Sequence, residues 1–221
     1  MLNILALSSS GSVASAALLS GGSVLREIVC ELGRTHSETL VPAVEQILRE
    51  SGAEIFDMGA FAVDVGPGSF TGVRIGVCFA NALAAAAKKP VVGIDSLTAH
   101  YKSLAGFRGE AAVLLDARGQ RCYCAKFLDN KIIEPPRAAD LEECLRTAGP
   151  GTVFTGDGAF AYRGLIEKKV SFAKFVKTEL RASQIAFEAY DRFQKGETAS
   201  AVFPLYLRSS QAERVFNERH G

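Results

Sequence analysis

The chain has 221 residues, with 25 Lys+Arg against 24 Asp+Glu and a formal net charge of +1, so no global basic field draws it to nucleic acid. Any contact with RNA is therefore expected to come through a partner. No apolar run is read as membrane-spanning and the opening MLNILALSSS has no basic leader, which predicts a cytoplasmic, non-exported chain without membrane association.

Residues 3–7 read as a buried strand, followed by the polar turn Ser8-Ser9-Ser10-Gly11 and by two further strands, 13–19 and 24–31, joined at Gly21-Gly22. Three antiparallel strands thus open the chain. Thr35 and Glu38 have capping-box spacing, and Leu40, Val44, Ile47 and Leu48 form an apolar stripe, which predicts a helix ending near Ser51 with a bend at Pro42.

The stretch 64–90 organises the rest. An apolar run at 61–65 leads in as a strand and an Ala-rich segment leads out as a helix over 71–87. Between them lies the glycine loop Gly66, Pro67, Gly68, Ser69, Phe70, Thr71 and Gly72, where Ser69 and Thr71 are both suited to cap the helix. Such a loop reads either as an anion cradle or as a tight strand-to-helix turn; it matches neither GxxxxGK[ST] nor GxGxxG. At 3.6 residues per turn, Val73, Val77, Ala80 and Ala84 fall on one face and Ile75, Phe79, Ala82, Leu83 and Ala86 on another. Only Arg74, Asn81 and Lys88 are clearly polar. Gly72, Gly76, Ala80 and Ala84 make a ridge of small residues that lets another backbone approach. A helix apolar over this much of its girth is expected to be covered on two sides, one of them by another polypeptide.

A strand at 91–94 and a helix capped by Asp95-Ser96 complete the order βββαβαβα. A boundary falls at 106–109, dividing the chain into lobes 1–106 and 107–221. The second lobe opens with a hairpin, 111–115 and 122–128, and continues through Ile132-Ile133 to a break at Pro135-Pro136 and a helix over 140–147. A brief strand at 152–155 precedes Gly156-Asp157-Gly158-Ala159, a helix follows Ser183, and the tail PLYLR is extended. The five cysteines, Cys30, Cys78, Cys122, Cys124 and Cys144, contain no CxxC and read as reduced thiols. The three histidines, His36, His100 and His220, are scattered, so no metal site is read.

GPGSFTGVRIG at 66–76, followed by PVVGIDSL at 90–97, closely resembles the signature of the bacterial TsaB (YeaZ) family. Weaker matches run in order along the chain: ILALSSS, HSETLVPAVEQIL, DARGQRCYCAKF, TGDGA and PLYLR. The resemblance implies an α/β fold of two RNase H-like lobes of the actin-like ATPase (ASKHA) superfamily, with mixed sheets flanked by helices. It also implies a non-catalytic role in making threonylcarbamoyladenosine on tRNA. The implied partners are a TsaD-like catalytic subunit, a TsaE-like ATPase, and a second copy when the chain is alone, with tRNA reached only through the complex. No cofactor is expected in this chain alone; ATP and metal are expected on the TsaD partner or at the shared interface.

On this reading Leu40, Val44, Ile47, Val73, Val77, Ala80 and Ala84 face the partner, with Arg74 and Asn81 at the edge. Superfamily members usually carry an Asp in the first hairpin to handle phosphate-bound metal, and the matching position here is Ser8. Asp116 and the Gly156, Asp157, Gly158 loop remain as a vestigial nucleotide site. The alternative, an ATP-dependent kinase or hydrolase, would use the glycine loop, Asp116 and Asp157. A metalloprotease is disfavoured by the lack of paired histidines.

Overall fold

The computed structural model describes residues 1–30 and 36–208. The Thr35–Glu38 capping contact and His220 fall outside what is described. The first sheet is built from β1 (Asn3–Ser8), β2 (Ser15–Ser20), β3 (Ser23–Val29), β4 (Ala60–Asp64) and β5 (Val91–Ile94). Its order is β3-β2-β1-β4-β5, antiparallel through the opening hairpins and parallel from β1 to β4 to β5. β1 and β4 read as unbroken apolar runs because helices cover both faces of the sheet's centre. On one face pack α1 (His36–Ser51) and α2 (Phe70–Ala87); on the other packs α7 (Ala182–Gln194).

The second sheet repeats the plan. It joins β6 (Glu110–Asp116), β7 (Arg121–Leu128), β8 (Lys131–Asp140), β9 (Val153–Thr155) and β10 (Lys174–Phe175) in the order β10-β9-β6-β7-β8. Counted from its own first strand this is again 3-2-1-4-5, with an antiparallel start and a parallel finish. α3 (Ser96–Lys102) is wedged between the lobes, with Leu97 and Tyr101 packed against Leu115 and Phe127 of the second sheet. α4 (Leu141–Leu145), α5 (Asp157–Ala161) and α6 (Arg163–Lys169) cover the far face of that sheet.

Four expectations change. The second lobe does not run from 107 to the end, because α7 returns to the first sheet, where Ile185, Ala186 and Ala189 pack on Ile4, Ala6 and Val92. Pro135 and Pro136 do not break the chain; β8 is an edge strand and bulges at them, its pairing with β7 passing from Glu134–Lys126 to Arg137–Cys124, so neither missing N–H is owed to the ladder. Two short helices, α5 and α6, follow β9 where the sequence shows no helical period, since five and seven residues are too few to display one. Finally, α2 is long and apolar enough to cross a membrane by length and composition, the one such helix among the described residues. Its inner side is nonetheless packed on its own sheet.

Candidate docking face and interlobe cleft

The glycine loop is held by close approach to the first hairpin. Ser69 caps α2, its hydroxyl accepting from Gly72 N–H at 3.2 Å, while Ser69 N–H donates to Ser10 O at 2.8 Å. A Cβ on Gly68 would lie 2.4 Å from that same Ser10 oxygen, so only glycine fits. One turn further on, Ser9 Oγ donates to Gly72 O at 2.8 Å and fills the space where a Cβ on Gly76 would stand, 2.3 Å away. The small residues therefore let α2 settle onto its own hairpin turn. Beneath the loop, Asp64 Oδ2 accepts from the backbone N–H of Ser9 at 2.8 Å and of Ser10 at 3.3 Å. Burial pushes the Asp64 pKa up, opposed by the hydrogen bonds from Ser8, Ser9 and Ser10. The loop's glycines thus serve packing, and its first free donor is spent on Ser10.

This settling decides which side of α2 is covered. Leu40, Val44 and Ile47 of α1 and Val73, Val77, Ala80 and Ala84 of α2 are each no more than 4% exposed. They form the core between helices and sheet, so the side expected to face a partner is the side the chain itself seals. The correction has a physical cause: the ridge of small residues accommodates the chain's own β1–β2 turn and β4, with Gly76 also near Val63. The opposite side of α2 is open. There Cys78, Ala82 and Ala86 are exposed and Ile75, Phe79 and Leu83 half-buried, an apolar strip that runs most of the helix's length.

Arg74 and Asn81, expected at the partner's edge, are engaged by the tail. Asn81 exchanges two bonds with the backbone of Val202, at 2.8 and 3.0 Å. Arg74 Nε donates to Tyr206 Oη at 2.7 Å, with its guanidinium 3.9 Å over the Phe70 ring and the Phe70 and Tyr206 rings stacked at 4.9 Å.

Between the lobes lies a cavity of about 1180 Å³ lined by residues that include Ser10, Gly68, Arg74, Asp116, Asp157 and Lys177. Asp116 and Asp157 do meet here, but inside one turn network. Asp157 Oδ1 accepts from Asp116 N–H at 3.0 Å and Gly158 N–H at 2.8 Å, and Asp116 Oδ1 from Arg118 N–H at 2.8 Å and Tyr162 Oη–H at 2.7 Å. Gly156 precedes α5 with φ +89°, so Gly156 and Asp157 shape the start of that helix. Burial raises the Asp157 pKa, and the hydrogen bonds to it act the other way. Ser8 is fully buried at the end of β1 and does not line the cavity. Among the described residues no three His, Cys, Asp or Glu side chains are grouped as a metal site.

Two lobes with the same 3-2-1-4-5 sheet, enclosing a cleft and joined by a shared helix, define an actin-like ATPase fold. The family model described as "TsaD: tRNA N6-adenosine threonylcarbamoyltransferase" matches residues 28–215. The chain is 36% identical to the tRNA threonylcarbamoyladenosine biosynthesis protein TsaB of Haemophilus influenzae, over 94% of each chain. With the TsaB of Bacillus subtilis it shares 29% identity over 98% of this chain and 99% of the relative. The solved structure of YeaZ from Pseudomonas aeruginosa superposes with a TM-score of 0.78 at 25% identity, covering 94% of this chain and all of that one. This chain belongs to the TsaB (YeaZ) family.

Proposed function

We propose that the chain takes part in tRNA threonylcarbamoyladenosine biosynthesis as a non-catalytic subunit that docks a related, TsaD-like catalytic subunit through the outer face of α2. The observation that carries this reading is the strip Ile75, Cys78, Phe79, Ala82, Leu83 and Ala86, in which Cys78, Ala82 and Ala86 are exposed and Ile75, Phe79 and Leu83 only half-buried, on a helix whose other side is already in the core. Removing apolar surface from water is favourable by about 25 cal/mol per Å² before the entropic costs of association are subtracted, so a strip of this kind favours an apolar partner helix over water. A second copy of the chain offers the same strip and takes the partner's place when the catalytic subunit is absent. A TsaE-like ATPase and the tRNA join through the assembled complex, which acts in the cytoplasm.

The cleft supports the non-catalytic half of the reading. Asp116 and Asp157 are wrapped in the hydrogen bonds of their own turns, and the first-hairpin position where a metal-handling carboxylate belongs is a buried serine. A hydroxyl does not replace a carboxylate as a hard-metal ligand, so this donor set does not fit a metal–nucleotide. ATP and metal belong on the catalytic partner or at the shared interface.

The test is titration calorimetry and sizing of the chain against its TsaD-like partner, with Phe79→Glu as the probe. Removing a buried Phe contact and desolvating a charge should weaken the complex by at least about a hundredfold, roughly 2.7 kcal/mol. An unchanged affinity would reject this face. Val77→Glu is not a usable probe, because Val77 is 3% exposed and the change would strike the fold.

A further inference from the structure

The chain crosses between the lobes at residues 103–109, leading from α3 to β6, and again at 176–181, leading from β10 to α7. A third span is made by the tail. It is anchored on the first lobe by the paired bonds between Ala199 and Val91 at 2.8 and 3.0 Å, by Asn81 on Val202, and by Leu205 N–H to Val65 O at 2.7 Å. It then reaches the second lobe, where Leu207 packs with Leu115 and Tyr123 and Arg208 Nη1 donates to Ala117 O at 2.9 Å. On the way, residues 205–208 line the cavity between the lobes.

The anchors differ in kind. Those before residue 205 are backbone or amide pairs held on the first lobe. Near the crossing, the tail is held from the side by Tyr206, stacked on Phe70 and bonded to Arg74, and Tyr206 is still 47% exposed. Hydrogen bonds and aromatic stacks exposed to water are the contacts that open most readily. Arg74 is itself an exposed residue of α2, one position from Ile75 in the uncovered strip.

We propose that residues 202–208 form a latch across the interlobe cleft, released at the Arg74–Tyr206–Phe70 contact, so that the cleft's opening is governed from the flank of α2. The latch is a property of the single chain and does not depend on any partner. Releasing Tyr206 leaves Leu205 on Val65 as the tail's last first-lobe anchor, so the short step to Leu207 and Arg208 gains slack and the tail holds the lobes less tightly, beside the two other crossings and α3.

The test is the interlobe distance distribution, measured by electron–electron double resonance on the full chain. Spin labels are carried at Asp191→Cys on α7 and Lys168→Cys on α6, both exposed, with Cys30 and Cys78 replaced by Ser. In Tyr206→Ala, loss of a hydrogen bond and a stack of ordinary strength should raise the longer-distance population about ten- to hundredfold. Tyr206→Phe keeps the stack and loses only the bond from Arg74, and should fall between that variant and the parent. Circular dichroism confirms that each variant is folded. Superimposable distributions for the parent and folded Tyr206→Ala would overturn the latch.

Discussion

The closeness of α2 to its own hairpin can be tested by a double-mutant cycle on Ser9 and Gly76. Alanine at position 76 gains about 1 kcal/mol of helix propensity over glycine. Its Cβ, however, would sit 2.3 Å from Ser9 Oγ, which must rotate away and give up its bond to Gly72 O. Displacing a buried hydroxyl from its partner costs about 1–3 kcal/mol, so Gly76→Ala alone should be destabilising by roughly 0–2 kcal/mol. Ser9→Ala alone should cost about 1 kcal/mol through the lost bond. Together the two changes fit: the methyl at 76 occupies the space vacated by the hydroxyl and the propensity gain is kept. The double variant should therefore match or exceed the parent, with a coupling of about −1 to −3 kcal/mol. Urea unfolding followed by far-UV circular dichroism reads it, since the chain has no tryptophan. Effects additive within about 0.5 kcal/mol would refute the account of why glycine stands at 76.

Gly68→Ala should be more damaging than Gly76→Ala, because its Cβ meets a backbone oxygen, Ser10 O at 2.4 Å, which has no rotamer to yield; a smaller loss of melting temperature than for Gly76→Ala contradicts this. His100, buried against Thr178, has its pKa lowered by burial to about 4, while the unfolded imidazole takes its proton near pH 6.5. The unfolded state thus binds the extra proton first, and about 3 kcal/mol of stability should be lost as pH falls from about 6.5 to about 4. His100→Gln should remove that share of the slope in melting temperature against pH. Lys126 is 3% exposed and reaches Thr147 O at 2.6 Å, Glu110 at 3.3 Å and Glu134 at 3.5 Å. Lys126→Met should cost about 2 kcal/mol, below the full penalty for a buried pair because both carboxylates keep contact with water; no change in urea midpoint would contradict it.

Much of the first lobe is written in local pattern. Alternating hairpins, the cap at Ser69 and the cap at Asp95, whose side chain accepts from Thr98 N–H, all lie within a few residues of what they fix. The glycine loop was visible for the same reason, although its glycines answer to packing rather than to a ligand. The orientation of α2 was not visible, since both of its faces are apolar. The ridge Gly72, Gly76, Ala80, Ala84 was nonetheless a clue: small residues mark the side where backbone comes closest, and here that backbone is the chain's own. The tail's role could not be read, because Asn81 and Val202 are 121 residues apart and Arg74 and Tyr206 are 132 apart. No local period encodes contacts at that range, and the return of α7 to the first sheet was hidden likewise.

The central claim is that the outer strip of α2 is where a partner sits, and the chain carries its own reporter there. Cys78 is exposed on that strip, Cys122, Cys124 and Cys144 are buried, and Cys30 is half-buried. The Cys144 pKa is pushed up to about 12 by its hydrogen bond with Cys122 and by burial, which keeps that thiol protonated and slow. The alkylation rate of Cys78, read by mass spectrometry with and without saturating TsaD-like subunit, should fall at least about tenfold in the complex, as for a thiol removed from solvent. A rate at Cys78 that is unchanged when the complex is fully formed would contradict the account.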